Sequence, residues 1–100
     1  MDNREIKKEN VKEEVIAYLS DMYKRVGTSE GYGYLMNNGY IVRVAVCNDE
    51  SFMLEYAGNM EEVETNYFED GEWFHYEDFN TEKGVVDAVV KELQYYEVHG

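Results

Sequence analysis

The sequence predicts an α+β fold: an antiparallel sheet of about five strands, arranged as a meander, with an N-terminal and a C-terminal helix packed on it. Three observations carry that expectation. Val11, Val15, Leu19, Met22 and Val26 recur at helical spacing near the start, and Val86, Val89, Val90, Leu93 and Tyr96 do so near the end. Between them lie short runs rich in strand-forming residues. Two of the junctions are Asn38-Gly39 and Asp70-Gly71, dipeptides that favour type I′ turns because both positions need positive φ. No Pro, repeat or linker-like segment interrupts the chain, so residues 1–100 read as one domain.

Taken in order, the first helix has Asn10 followed by Glu13 as a capping box, with Asp2 or Asn3 as earlier starts, and Gly27 as its stop. "GTSEGYG" (27–33) is a loop without a phosphate-binding glycine pattern. "YGYLMN" and "YIVRVAVC" form a hairpin about Asn38-Gly39, with Met36 facing Ile41 and Leu35 facing Val42. The second of these strands is apolar on both faces except at Arg43, which places it centrally. "NDES" turns the chain into "FMLEYA", where Phe52, Leu54 and Tyr56 share one face and Met53 and Glu55 the other. "VETNYF" and "EWFHYE" form a second hairpin about Asp70-Gly71, pairing Phe68 with Trp73, Tyr67 with Phe74 and Asn66 with His75. The last helix is capped by Asn80 or Thr81 and carries Glu82 near the positive end of its dipole. Tight turns throughout put both helices on one face of the sheet.

Bulk composition narrows the function. The chain is 44% hydrophobic with ten Tyr, four Phe and one Trp, which marks a folding sequence and not an acidic tail. No apolar run approaches the roughly 20 residues needed to span a bilayer, and "MDNREIKKEN" lacks the apolar stretch of a signal peptide. The expected location is the cytosol. Net charge is −13, and it is unevenly spread: seven of the nine Lys and Arg lie in the first 43 residues. From Val44 to Glu82 there are twelve acids and no Lys or Arg. Such a field repels nucleic acid and anionic membrane and steers the protein toward basic surfaces.

Catalytic chemistry has few candidates. Cys47 is the lone cysteine, on an apolar strand, where it reads as a small core residue. His75 falls at a predicted strand centre and His99 at the C-terminal end, neither beside Cys47 in sequence. An EF-hand loop with Gly71 as its sixth position would put Phe68, which cannot ligate, at the third and Glu77 at the twelfth. A looser cation site among the carboxylates stays open. The sequence predicts no enzyme and no cofactor.

The most unusual stretch is "MEEVETNYFEDGEWFHYEDFNTE", residues 60–82, with nine carboxylates, six aromatic rings and no Lys or Arg. On strands, Glu62 and Glu64 would stand in a row, the Asp70-Gly71 turn would bring Glu69 opposite Glu72, and Glu61, Glu77 and Asp78 would flank them. Like charges held together cost stability through self-repulsion, so their retention argues for a use. A stiff carboxylate array fits a Lys/Arg-lined nucleic-acid groove, and Tyr67, Trp73 and Tyr76 are candidate anchors. In size, charge and the "MEEVETNYFEDGEWFHYEDF" region, the chain resembles the small acidic inhibitors that phages and mobile elements direct at host defence, the anti-CRISPR and antirestriction proteins. That resemblance implies a DNA mimic whose partner is a basic nucleic-acid-binding protein, such as the cleft of a Cas9-type nuclease where arginines read the PAM. The alternative is an acidic protein–protein interaction or regulatory domain whose charged face is simply solvated. A halophile composition does not fit, because the N-terminal third is close to charge balance.

Overall fold

The computed structural model describes residues 6–27, 32–46, 48 and 50–100. Cys47, Asp2 and Asn3, and most of the "GTSEGYG" loop lie outside the described residues. Helix α1 (Lys8–Met22) is followed by strands β1 (Lys24–Gly27), β2 (Tyr32–Leu35), β3 (Ile41–Val46) and β4 (Ser51–Ala57). A short helix α2 (Met60–Glu64) precedes β5 (Asp70–His75), a 3-10 turn (Tyr76–Asp78) and helix α3 (Glu82–His99). The five strands form one antiparallel sheet in the order β1-β2-β3-β4-β5, a meander with β3 at its centre.

Both long helices pack on one face of that sheet. Val11, Val15 and Leu19 of α1 and Val85, Val89 and Leu93 of α3 meet Tyr34, Val42, Phe52, Leu54, Tyr56 and Phe74 in one buried cluster. Phe52, Leu54 and Tyr56 point to this face as their alternation requires, and each such side chain contributes roughly 1.5–3 kcal/mol by leaving water. Their opposite-facing neighbours Met53 and Glu55 are half-buried. A smaller cluster of Ile41, Ala57 and Val63 seats α2 against the other face.

The N-terminal helix is shorter than its predicted stripe. It stops at Met22, half exposed, and the buried residue after Leu19 is Tyr23, whose N–H still donates to the Leu19 carbonyl at 2.9 Å. Val26 and Gly27 belong to β1, and Gly27 supplies a positive φ of 114° at the strand end instead of a helix stop. The Asn10–Glu13 capping box does not form. Lys7 is the N-cap, and its N–H donates to Glu82 Oε2 of α3 at 2.7 Å, while Thr81 Oγ1 caps α3 by accepting from the Gly84 N–H. Along α3 the buried stripe is Val85, Val89, Leu93 and Tyr96, with Val86 and Val90 half-buried beside it.

The first hairpin is shifted by one residue from the expected register: Tyr34 pairs with Val42 and Leu35 with Ile41. Its loop has three residues. Gly39 N–H donates to the Met36 carbonyl at 3.1 Å, Met36 N–H donates to the Tyr40 carbonyl at 2.8 Å, and Gly39 takes a φ of 92° while Asn38 does not go positive. This is a type I turn closed by a left-handed glycine, in place of type I′. Asn38 is used elsewhere, donating through Nδ2 to the Tyr96 carbonyl at 2.9 Å and so tying the hairpin to α3. A one-residue slip changes which side chains face inward. Accordingly Tyr34 is buried and Leu35 is exposed.

The second predicted hairpin does not exist. "VETNYF" is the end of α2 and a loop, and Asp70-Gly71 lies inside β5, which pairs with β4. Local capping decides the outcome. Asn59 Oδ1 accepts from the Glu62 N–H at 3.0 Å, and Glu62 Oε1 accepts from the Gly58 N–H at 2.7 Å, a reciprocal arrangement close to a capping box. At the other end Asn66 takes φ 59°, its N–H donates to Val63 O, and Tyr67 N–H donates to Glu62 O at 2.8 Å, which is a Schellman close. Gly71 packs closely, since a Cβ there would lie 3.0 Å from the Met53 sulfur and the methionine would have to shift to admit it. The fifth strand is thus β1 at the N-terminal edge, and the predicted pairs of Phe68, Tyr67 and Asn66 with Trp73, Phe74 and His75 are replaced by Met53–Trp73, Phe52–Phe74 and Ser51–His75.

Candidate functional site

The predicted acidic surface survives with different architecture. Strand β5 is the C-terminal edge of the sheet, so one side of its backbone has no partner strand among the described residues. Its alternation sends Asp70, Glu72 and Phe74 to the helix-bearing face and Gly71, Trp73 and His75 to the outer face. Phe74 is buried against Phe52, their rings stacked at 5.2 Å, which anchors the strand. Asp70 and Glu72 stay exposed, about 6.6–7 Å apart along the strand.

Neighbouring elements add to this row. Glu69 precedes the strand, and its carboxyl lies in hydrogen-bonding contact with that of Glu62, the α2 residue whose Oε1 also accepts from Gly58. That contact, with the negative charge of Glu62 and then Asp70, holds Glu69 above the ordinary carboxyl value. From α3, half-buried Glu92 is held up first by burial and then by the charges of Glu72 and Asp70. The strand end therefore gathers Glu62, Glu69, Asp70, Glu72 and Glu92. Sequence reading missed Glu92, whose only local signal is its place one turn before Tyr96.

Other predicted residues are not brought into this group. Glu61 and Glu64 are exposed on α2, where they form no strand row with Glu62. Glu77 and Asp78 stand in the 3-10 turn at the far end of β5, about 20 Å away along six residues of strand. The predicted approach of Glu69 to Glu72 across a turn is replaced by its approach to Glu62.

The three rings also separate. Trp73 is 47% exposed on the outer face, beside Met53 and stacked on His75 at 6.1 Å, and Tyr67 is 63% exposed in the loop after α2. Tyr76 is not an outward anchor. It packs against Phe52 at 5.7 Å and helps line a cavity of about 240 Å3 with Val11, Val15, Val44, Phe52 and Lys12. On the outer face, Arg43 pairs with Glu55 at 3.2 Å, donates to Asn66 Oδ1 at 2.6 Å and lies 3.9 Å over the Phe68 ring. Arg43 thus fixes the loop leading to β5, and no Lys or Arg among the described residues pairs with Asp70 or Glu72.

Among the described residues, no group of three or more His, Cys, Asp or Glu is placed to hold a metal ion, and no helix is long and apolar enough to cross a membrane. His75 lies at the end of β5, not its centre, and His99 ends α3, tilted over Tyr95 at 4.5 Å. Compared with family models, curated proteins and solved structures, the chain matches none.

Proposed function

We propose that the protein is a non-enzymatic, cytosolic inhibitor of a basic nucleic-acid-handling enzyme, an anti-CRISPR-type DNA mimic directed at a nuclease such as a Cas9-type effector. The observation that carries this reading is the β5 edge, where Glu62, Glu69, Asp70, Glu72 and Glu92 gather without a Lys or Arg partner among the described residues. Carboxylates spaced along a strand at about 6.6–7 Å give a linear charge density about half that of one DNA strand, which carries a charge per roughly 3.4 Å of axis. They would pair with the Lys and Arg that otherwise hold phosphate, Arg making bidentate bonds. Trp73, on the outer face of the same edge strand, and Tyr67, in the loop before it, are exposed aromatic anchors of the kind that dominate protein interfaces. Steering by the acidic field makes association fast and salt-dependent.

Competition tests the reading. A Cas9-type nuclease is offered the protein before and after loading with its target DNA. Binding to the unloaded enzyme and exclusion from the loaded one are expected. Equal binding to both would move the protein to the second reading, an interaction or regulatory domain, which the exposed Trp73 beside half-buried Met53 on the outer face favours.

A further inference from the structure

Beneath the acidic end of β5 lies a polar group with no structural use. Tyr56 is 1% exposed, its ring is stacked on Tyr96 at 3.6 Å, and its hydroxyl is enclosed without a hydrogen-bond partner among the described residues. Leaving a buried hydroxyl unpaired destabilises a fold, and Phe would fill the same space without that cost.

The surroundings of this hydroxyl are acidic. Tyr56 pairs with Asp70 across β4 and β5, and Leu54 pairs with Glu72, so both carboxylates leave β5 on the face to which the Tyr56 ring points. Glu92 lies one helical turn before Tyr96, the ring stacked on Tyr56. Burial pushes the Tyr56 phenol well above its ordinary value, and Glu92, Glu72 and Asp70 all push it further. Asp87, the nearest acid on α3 with a cation, is paired with Lys83 at 2.8 Å, whereas no Lys or Arg among the described residues pairs with Asp70, Glu72 or Glu92.

We infer that the acidic surface where the β5 edge meets Glu92 of α3 is the seat of one arginine side chain of the partner, held by Asp70, Glu72 and Glu92 with the Tyr56 hydroxyl beneath them. The inference rests on the reading of the β5 edge as a partner surface and names its central contact. A guanidinium presents five donors in one plane, enough to serve two carboxylates at once. As it draws the Glu92 carboxylate inward, the Tyr56 hydroxyl gains an acceptor and donates its hydrogen to it. The orphaned hydroxyl is then satisfied only in the complex.

The test uses a hexa-arginine peptide as probe, titrated by calorimetry at moderate salt against the full chain. Glu92→Gln should weaken binding by about tenfold, as expected for loss of one charge-assisted contact. Glu14→Gln, which removes an equal charge from the exposed side of α1, should change it by less than about twofold. Tyr56→Phe should weaken binding by about threefold while leaving the melting temperature of the free protein equal or higher, a split that a purely structural tyrosine would not produce. Equal effects of Glu92→Gln and Glu14→Gln would overturn this arginine seat while sparing the acidic-edge reading. A hexa-lysine peptide bound as tightly, with the same sensitivity to Glu92→Gln, would overturn the assignment to arginine. No binding of hexa-arginine to the unsubstituted protein would remove both readings together.

Discussion

The two edges of the sheet face the same physical problem with opposite charge. At one edge β1 presents Lys24 and Arg25, and the Arg25 guanidinium rests 4.1 Å over the Tyr32 ring of the adjacent strand. At the other, β5 presents Asp70 and Glu72, with Glu69, Glu62 and Glu92 close by. Every open edge invites pairing with another chain, and one or two charges suffice to discourage it. The β1 edge carries about that much. The β5 edge carries more, and the excess is destabilising: contact with Glu62 holds Glu69 up, and the charges of Glu72 and Asp70 add to the burial that already holds Glu92 up. Edge protection accounts for β1 and leaves the surplus on β5 to be explained by a partner.

Reversing each edge separately should break the symmetry. The combined change Glu69→Lys, Asp70→Lys and Glu72→Lys should abolish binding to a basic nuclease, a loss beyond about 4 kcal/mol if each ionic hydrogen bond contributes roughly 1.5–3 kcal/mol. The fold should survive, because all three side chains are exposed. Lys24→Glu with Arg25→Glu should leave binding intact. If affinity instead follows net charge alone, whichever edge is altered, the β5 edge is not the contact surface.

The edges also differ in how they are held to the core. Phe74 is buried and stacked on Phe52 under the helices, so Phe74→Ala should cost about 3 kcal/mol, near the low end for a buried ring because an edge can relax. Val26 on β1 is half-buried against the small Ile41–Ala57–Val63 cluster, and Val26→Ala should cost only about 1 kcal/mol. Urea denaturation measures both. Comparable losses would mean that β1 is as firmly integrated as β5.

Much of this architecture is legible in the sequence, and the failures have physical causes. Val11, Val15 and Leu19 of the first stripe, Val89, Leu93 and Tyr96 of the last, the alternation of Phe52, Leu54 and Tyr56 and the central place of the Arg43-bearing strand follow from periodicity alone. The second hairpin was misassigned because Val63, Tyr67 and Phe68 suit a strand, while the competing signals, Asn59 before Glu62 and Asn66 in the left-handed region, occupy single positions. Strand β1 is only four residues, and Val26 continues the spacing of the helix before it. Of the site, the wealth of acids in residues 60–82 was visible. Glu92 and the Tyr56 hydroxyl were not, because only sheet order and the docking of α3 bring them to Asp70 and Glu72.

Screening should reveal the same asymmetry. With −13 on one small chain, moderate NaCl should raise the melting temperature by weakening repulsion among exposed carboxylates. The rise should shrink when the β5 edge is neutralised by Glu69→Gln, Asp70→Asn and Glu72→Gln, and persist when Lys24 and Arg25 are replaced by Gln. A melting temperature that is flat with salt in the unsubstituted protein would mean that the acids are already dispersed enough not to repel.

The smallest expected effect concerns pH, and its sign follows from the crowded edge. Glu69 is held above its ordinary value of 4.5 by its contact with Glu62, and Glu92 is held up by burial and by Glu72 and Asp70. A carboxyl whose value is higher in the folded state than in the unfolded chain binds its proton more readily when folded. Its contribution to stability is therefore full below about pH 4.5 and is lost as pH rises through the folded-state value. On this account the protein should melt at a slightly higher temperature at mildly acidic pH than at neutral pH. Glu69→Gln with Glu92→Gln makes both groups permanently neutral, so it should raise the neutral-pH melting temperature and flatten the difference. Replacing Glu13 and Glu14 on the exposed side of α1 should leave the difference unchanged. If the Glu69 and Glu92 variant keeps the full pH dependence, those two carboxyls are not where the β5 edge stores its repulsion.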